Sequence, residues 1–177
     1  GEAIQGFASN HRTTVTSVDY HPFADFIATA SRDTHVRIWD LRRKSCLQVY
    51  RHKEGVAAPV EAVRIAPDGR TAASGCGDGN IRLYDLRGGK ESQPLAHHTS
   101  AIHTIAFHPS RLMLAAADVS GVVSVWDLEQ RKLVFSTDET NGAQHCGLIE
   151  GSLIVCSESL MKRFAVPNFE AAAPKPL

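Results

Sequence analysis

The sequence predicts an all-β fold assembled from repeated four-stranded antiparallel sheets, and three observations carry that reading. An aromatic residue followed by Asp and Leu recurs as Trp39-Asp40-Leu41, Tyr84-Asp85-Leu86 and Trp126-Asp127-Leu128. The aromatics stand 45 and 42 residues apart, the period of a β-propeller blade that ends in Trp-Asp. Apolar positions ahead of each triplet superpose: Val18, Val63 and Ile105; Tyr20, Ile65 and Phe107; Ile38, Leu83 and Val125. Units this small cannot bury their own faces, so neighbours must stack.

The first repeat spans about residues 11–50. Val15–Tyr20 reads as a strand and His21-Pro22 as a turn. Phe26–Ala30 reads as a second strand and Arg32-Asp33-Thr34 as a tight turn whose carboxylate can bond nearby backbone N–H groups. Val36, Ile38 and Asp40 alternate with His35, Arg37 and Trp39 along a third strand. After the polar turn Arg42-Arg43-Lys44, Cys46–Tyr50 forms a fourth. The second repeat, about 51–95, follows the same plan with four extra residues near Glu54-Gly55-Val56-Ala57. The third, about 96–131, has strands at Ile102–Phe107, Met113–Ala117 and Val122–Asp127. A degenerate fourth copy is expected over 132–166, with Ser152–Ser157 as its second strand, Glu158 at the turn and Phe164 at the aromatic position. Ile4–Phe7 is expected to be the last strand of an earlier blade. The Pro/Ala-rich stretch 167–177 reads as a tail or linker.

Composition narrows the partners. The 177 residues carry 19 basic and 19 acidic side chains, so no global charge draws the chain to nucleic acid, and no partner of that class is expected. No stretch reaches the roughly 18–20 apolar residues of a spanning helix, and no membrane partner is expected. Gly1–Gln5 lacks the basic end and apolar core of a secretory leader. Cys46, Cys76, Cys146 and Cys156 show no CxxC spacing and are expected as reduced thiols rather than a disulfide or zinc site.

His52, Ser74 and Asp78 are the residue types of a hydrolase triad. The same types recur, however, at matching offsets: His11, Thr29, Asp33 and Trp39 in the first repeat, and His52, Ser74, Asp78 and Tyr84 in the second. The third keeps His98 and Trp126 but has Ala116 and Ser120 where the hydroxyl and carboxylate are expected, so it should have lost two partners. A nucleophile site occurs once; a stabilising network occurs once per blade. No catalytic residue, cofactor or metal site is therefore expected. His21 and His108 precede prolines in equivalent turns and read as turn residues, and His97-His98 reads as the opening of a repeat rather than a metal site.

These positions resemble the structural tetrad of WD40 proteins. The resemblance implies a hydrogen-bonded chain from indole through hydroxyl and imidazole to carboxylate, and a propeller of which this chain supplies about four blades, seven being usual. It also implies a partner-binding face at the loops entering the first strand and the turns between the second and third. Thr14, Thr16 and Arg32, Glu61 and Gly77, and Ala101, His103 and Val119 would lie there. Within that class, Asp33–Cys46, with its basic turn, resembles the regulatory, non-ATPase WD40 subunit of katanin, as does Ser17–Ala28. Phe107-His108-Pro109, Trp126–Glu129 and Cys156–Ala165 fit later blades of that subunit. This implies a non-catalytic targeting scaffold in microtubule severing, with the AAA ATPase subunit and centrosome or basal-body proteins as partners. It places the chain in the cytoplasm, at microtubule-organising centres or the base of a cilium or flagellum. The alternative is a WD40 scaffold in a different, nuclear or signalling, complex.

Overall fold

A computed structural model describes residues 10–51, 58–138, 143–149, 151–157 and 160–166. Every regular element among them is a β-strand. The first sheet contains β1 (Val15–Tyr20), β2 (Phe26–Ser31), β3 (His35–Asp40) and β4 (Ser45–Arg51), in chain order. The second contains β5 (Val60–Ile65), β6 (Thr71–Cys76) and β7 (Asn80–Asp85), with β8 (Lys90–Glu91) and β9 (Leu95–Ala96) both pairing with β7. Pro94, which has no N–H to give a ladder, stands between these two short strands. The third has β10 (Ile102–Phe107), β11 (Met113–Asp118), β12 (Val123–Asp127) and β13 (Lys132–Thr137). The fourth has β14 (His145–Ile149), β15 (Ser152–Cys156) and β16 (Met161–Ala165). All pairs are antiparallel, and the whole is an all-β array of propeller blades.

One boundary is corrected. The repeat count starts the fourth unit at Lys132, yet Lys132–Thr137 pairs with β12 and completes the third sheet. The chain reverses at Gln130-Arg131, where Arg131 adopts a positive φ of 53°, as Lys44 does (54°) in the equivalent turn of the first sheet. The expected strand at Ile4–Phe7, the insertion with His52, the turn residue Glu158 and the 167–177 tail lie outside the described residues.

The Asp after each aromatic has a local cause. Asp40 Oδ1 accepts the N–H groups of Arg42 and Arg43 at 2.8 and 2.9 Å. Asp85 Oδ1 accepts that of Arg87 at 2.9 Å, and Asp127 Oδ1 those of Glu129 and Gln130 at 2.9 and 3.0 Å. Each carboxylate thus closes the turn between the third and fourth strands. The aromatics face equivalent apolar partners: Trp39 opposite Ile27, Tyr84 opposite Ala72, Trp126 opposite Leu114. Phe164 stands opposite Leu153 in the fourth sheet.

The core lies between sheets. Ala28, Val36, Ile38 and Tyr50 of the first pack on Val60, Val63, Ile65 and Tyr84 of the second. Ala73, Ile81 and Leu83 meet Ile105, Leu114 and Trp126, and the third and fourth sheets repeat the arrangement around Val125 and Leu148. Equivalent residues differ in burial where no further described sheet stacks. Val63 and Ile105 are 0 and 1% exposed, whereas Val18 is 49% exposed.

Candidate functional site

The first sheet holds a continuous hydrogen-bond chain. Trp39 Nε1 donates to Thr29 Oγ1 at 2.8 Å, His11 Nε2 lies 2.8 Å from that hydroxyl, and His11 Nδ1 lies 2.9 Å from Asp33 Oδ2. With the ring protonated at Nδ1, the indole donates, the hydroxyl and the imidazole each accept one bond and donate one, and the carboxylate accepts. Burial alone would raise the Asp33 pKa. The N–H groups of Arg12 and His35 and the His11 ring outweigh it and hold the carboxyl at about 2.

The second sheet varies this plan. Tyr84 OH and Ser74 Oγ are 2.8 Å apart, deep between sheets, and burial pushes the phenol pKa well above its ordinary value. Asp78 takes the Arg82 guanidinium in a fork at 2.7 and 3.1 Å. Burial again opposes this shift, but Arg82 and Asn80 hold the Asp78 carboxyl at about 2. Such a bidentate pair is stronger than a single contact. His52 lies outside the described residues.

The third sheet corrects the expectation of two lost partners. His98 Nδ1 lies 2.8 Å from Asp118 Oδ2, and His98 Nε2 lies 2.7 Å from Ser124 Oγ. Trp126 Nε1 donates to the same hydroxyl at 3.0 Å. Ser124 pairs directly across the ladder with Ala116, the position where the hydroxyl was expected. Residues opposite each other on antiparallel strands project to the same side, so a hydroxyl can move from one to the other and still reach the indole. The carboxylate has moved two places earlier, to Asp118, and Ser120, at the expected position, donates to it at 2.6 Å. The available signal was a Ser in a column otherwise occupied by Arg37 and Arg82.

The candidate binding residues occupy one end of the sheets. Thr16, Glu61 and His103 sit at equivalent irregularities, where the first strand of each sheet shifts register against the second. Bulges of this kind re-aim a side chain away from the regular alternation. Thr16 Oγ1 donates to Val60 O of the next sheet at 2.6 Å. Arg32 is exposed, and its Nε lies 3.4 Å from Glu61 Oε1, bridging the first two sheets. Thr14 is exposed, with its carbonyl accepting the Arg32 N–H at 3.1 Å. His103 Nδ1 is buried with no hydrogen-bond partner among the described residues. His97 bonds Ser136 at 2.8 Å, and among the described residues no group of His, Cys, Asp and Glu could hold a metal ion. The cysteines are free thiols.

Stacked four-stranded sheets, an aromatic-Asp ending to the third strand and a His-hydroxyl-indole network define a WD40-type β-propeller, a class that binds other proteins. The chain belongs to the nucleolar protein 10-like N-terminal β-propeller family, whose model matches residues 1–175. It is 28% identical to pre-mRNA-processing factor 19 of Bos taurus over 150 residues, covering 84% of this chain and 28% of that protein. It is 35% identical to small ribosomal subunit protein RACK1y of Oryza sativa subsp. japonica over 128 residues, covering 71% of this chain and 37% of that protein. With the WD40 repeat protein poxJ of Penicillium oxalicum it shares 31% over 126 residues, 66% of this chain and 35% of that protein. The chain thus spans about a third of the length of these curated relatives.

Proposed function

We propose that this chain is part of a non-catalytic WD40 scaffold that holds proteins together in a larger assembly, with the Thr16–Glu61–His103 end of the sheets as a contact face. One observation carries this reading. In the first and third sheets the His, hydroxyl and Asp groups that a triad would use are engaged in holding the indole, while the bulged residues vary at equivalent places. Arg32→Glu tests the face. The Arg32–Glu61 pair is too exposed to contribute much stability. Affinity capture followed by mass spectrometry should therefore lose partners at an unchanged melting temperature. Capture of an identical partner set by the variant would refute the face.

For the assembly, the names of the family and relatives, nucleolar, pre-mRNA-processing and small ribosomal, favour a nuclear or ribonucleoprotein complex. The katanin reading, with its microtubule partners and cytoplasmic site, rests on Asp33–Cys46. There the basic turn serves the blade itself: Asp40 caps it, and the Arg42 side chain pairs with Asp25. Fractionation decides between the two. Co-migration with ribonucleoprotein particles supports the first reading, and co-sedimentation with microtubules in the presence of an AAA ATPase supports the second.

A further inference from the structure

At the opposite end of the strands from Thr16 and Glu61, a groove of about 350 Å³ opens between the first and second sheets. Its floor is apolar, built from Phe26, Ile38 and Leu86. Phe23 and Leu47 rise beside it, 71% and 45% exposed. Arg70 and Arg87 stand on the side of the second sheet. Both are exposed, and among the described residues neither guanidinium lies within ion-pairing distance of a carboxylate. Asp68 also lines the groove, but its Oδ1 caps the turn by accepting the N–H groups of Arg70 and Thr71 at 2.8 and 3.4 Å.

The walls are set in advance. His21 Nδ1 accepts the Phe23 N–H at 3.1 Å, which leaves Nε2 protonated to donate to Gly69 O of the second sheet at 2.9 Å. The His21 ring meets Phe23 and Phe26 edge-on, with centroids 6.2 and 5.9 Å apart. Gly69 has φ +66°, and a Cβ there would lie 2.8 Å from the His21 ring, so this approach requires glycine.

The groove is also unlike its counterpart one sheet on. Phe23 follows Tyr20 by the offset at which Asp68 follows Ile65 and Ser110 follows Phe107. Leu47 follows the residue paired with Trp39, and the equivalent residue after the partner of Tyr84 is Ser92. Arg87 follows Tyr84 as Glu129 follows Trp126, and Arg70 precedes β6 as Leu112 precedes β11. Between the second and third sheets the same places therefore hold Asp68, Ser92, Leu112 and Glu129: both exposed apolar walls are gone, the places of Arg70 and Arg87 carry no positive charge, and the Arg131 guanidinium sits against Ser92 Oγ at 3.2 Å. Blade packing would repeat at each interface, whereas this feature does not. Solvent-exposed large apolar side chains held rigid around a concave floor mark a contact site.

We propose that this groove binds a short extended segment of a partner protein in which a Phe or Leu anchor is flanked by Asp or Glu. The anchor fills the space between Phe23 and Leu47, and the carboxylates meet Arg70 and Arg87. The two arginines select the acidic flank because opposite charge both steers the encounter and penalises wrong partners. The site does not depend on the face assigned above.

A random dodecapeptide phage library selected on the immobilised 177-residue chain tests the proposal, with counter-selection on an Arg70→Glu/Arg87→Glu variant. The expected result is an enriched consensus of Phe or Leu beside Asp or Glu. The enriched peptide, labelled with fluorescein, should bind the double variant and Leu47→Asp about tenfold or more weakly by anisotropy. All altered residues are exposed, and melting curves check folding; should Leu47→Asp unfold, the arginine pair alone decides. Arg32→Glu, at the far end of the strands, should leave peptide affinity unchanged, which separates this site from the other face. No enrichment over counter-selection, a basic consensus, or affinities within about twofold across the groove variants would overturn the proposal.

Discussion

Ser124 Oγ lies 3.0 Å from Trp126 Nε1, so the indole of the third sheet is held by a hydroxyl on its own strand, two residues earlier. In the first sheet the hydroxyl comes from the neighbouring strand, where Thr29 receives Trp39. The two solutions put an oxygen in the same place, between indole and imidazole. A network of this kind constrains positions in space rather than columns in a repeat.

Ser124→Ala should therefore be costly. It leaves the Trp126 N–H and the His98 Nε2 without their shared oxygen inside a buried site, a loss of about 2–4 kcal/mol. Adding Ala116→Ser, which puts a hydroxyl on the directly paired residue, should recover a substantial part of that loss. Denaturant melts of the single and double variants measure both. Equal stability of Ser124→Ala and the wild type would mean the hydroxyl is not the bridge.

Trp39→Ala should cost about 3–5 kcal/mol, the range for removing a large core aromatic. The side chain is almost wholly buried, so cavity formation adds to the loss of the Thr29 contact. A loss below about 1 kcal/mol in denaturant melts would contradict the buried position.

Tyr84→Phe removes only an oxygen. The Ser74 hydroxyl then loses a buried partner at 2.8 Å, and stability should fall by about 1–2 kcal/mol. Burial also keeps the Tyr84 phenol protonated far above its ordinary pKa of 10.0. The unfolded chain ionises first, so this contribution is present below about pH 10 and is lost as pH rises further. Ultraviolet titration should show the Tyr84 component appearing only with unfolding, as a difference between wild type and Tyr84→Phe.

Acid should act in two stages. Burial lowers the His98 pKa below 6.5, an effect that Asp118 only partly offsets, so the unfolded chain takes up that proton first. Its contribution is complete above about pH 6.5 and falls as pH drops toward the folded value. The Asp33 carboxyl, at about 2 against an ordinary 3.8, and Asp118, also lowered, contribute above about pH 3.8 and fade below it. Urea midpoints at about pH 7.5, 5.5 and 3.5 should decline modestly and then steeply. His98→Gln should abolish the first stage; a midpoint constant down to about pH 3 would show that these groups are not held as described.

Much of this fold is readable from the repeat. The spacing of Trp39, Tyr84 and Trp126 locates the third strands, and the Asp beside each anticipates the turn it closes. Even Phe164 falls opposite Leu153 as an offset of the turn residue suggests. The third network was not readable column by column, because cross-strand partners such as Ala116 and Ser124 are neighbours in space but eight residues apart in sequence. The bulges at Thr16, Glu61 and His103 do leave a mark, since Val15, Val18 and Tyr20, Val60, Val63 and Ile65, and Ile102, Ile105 and Phe107 are spaced three and then two where strict alternation would space them evenly. The Phe23–Arg87 groove is assembled from turns of two sheets, none distinctive by itself. It stands out only when each interface is compared with the next.

Stacking itself can be tested at equivalent sites. Val18 and Val63 occupy the same place in the first and second sheets, yet Val63 is enclosed between sheets while Val18 is half exposed. A carboxylate at Val63 would be removed from solvent and placed among apolar neighbours, so Val63→Asp should cost more than about 3 kcal/mol. Val18→Asp keeps access to water and should cost less than about 1 kcal/mol. The difference measures what a neighbouring sheet contributes, with side chain and strand position held constant. Equal losses in chemical denaturation would place the stabilising burial within each sheet rather than between sheets.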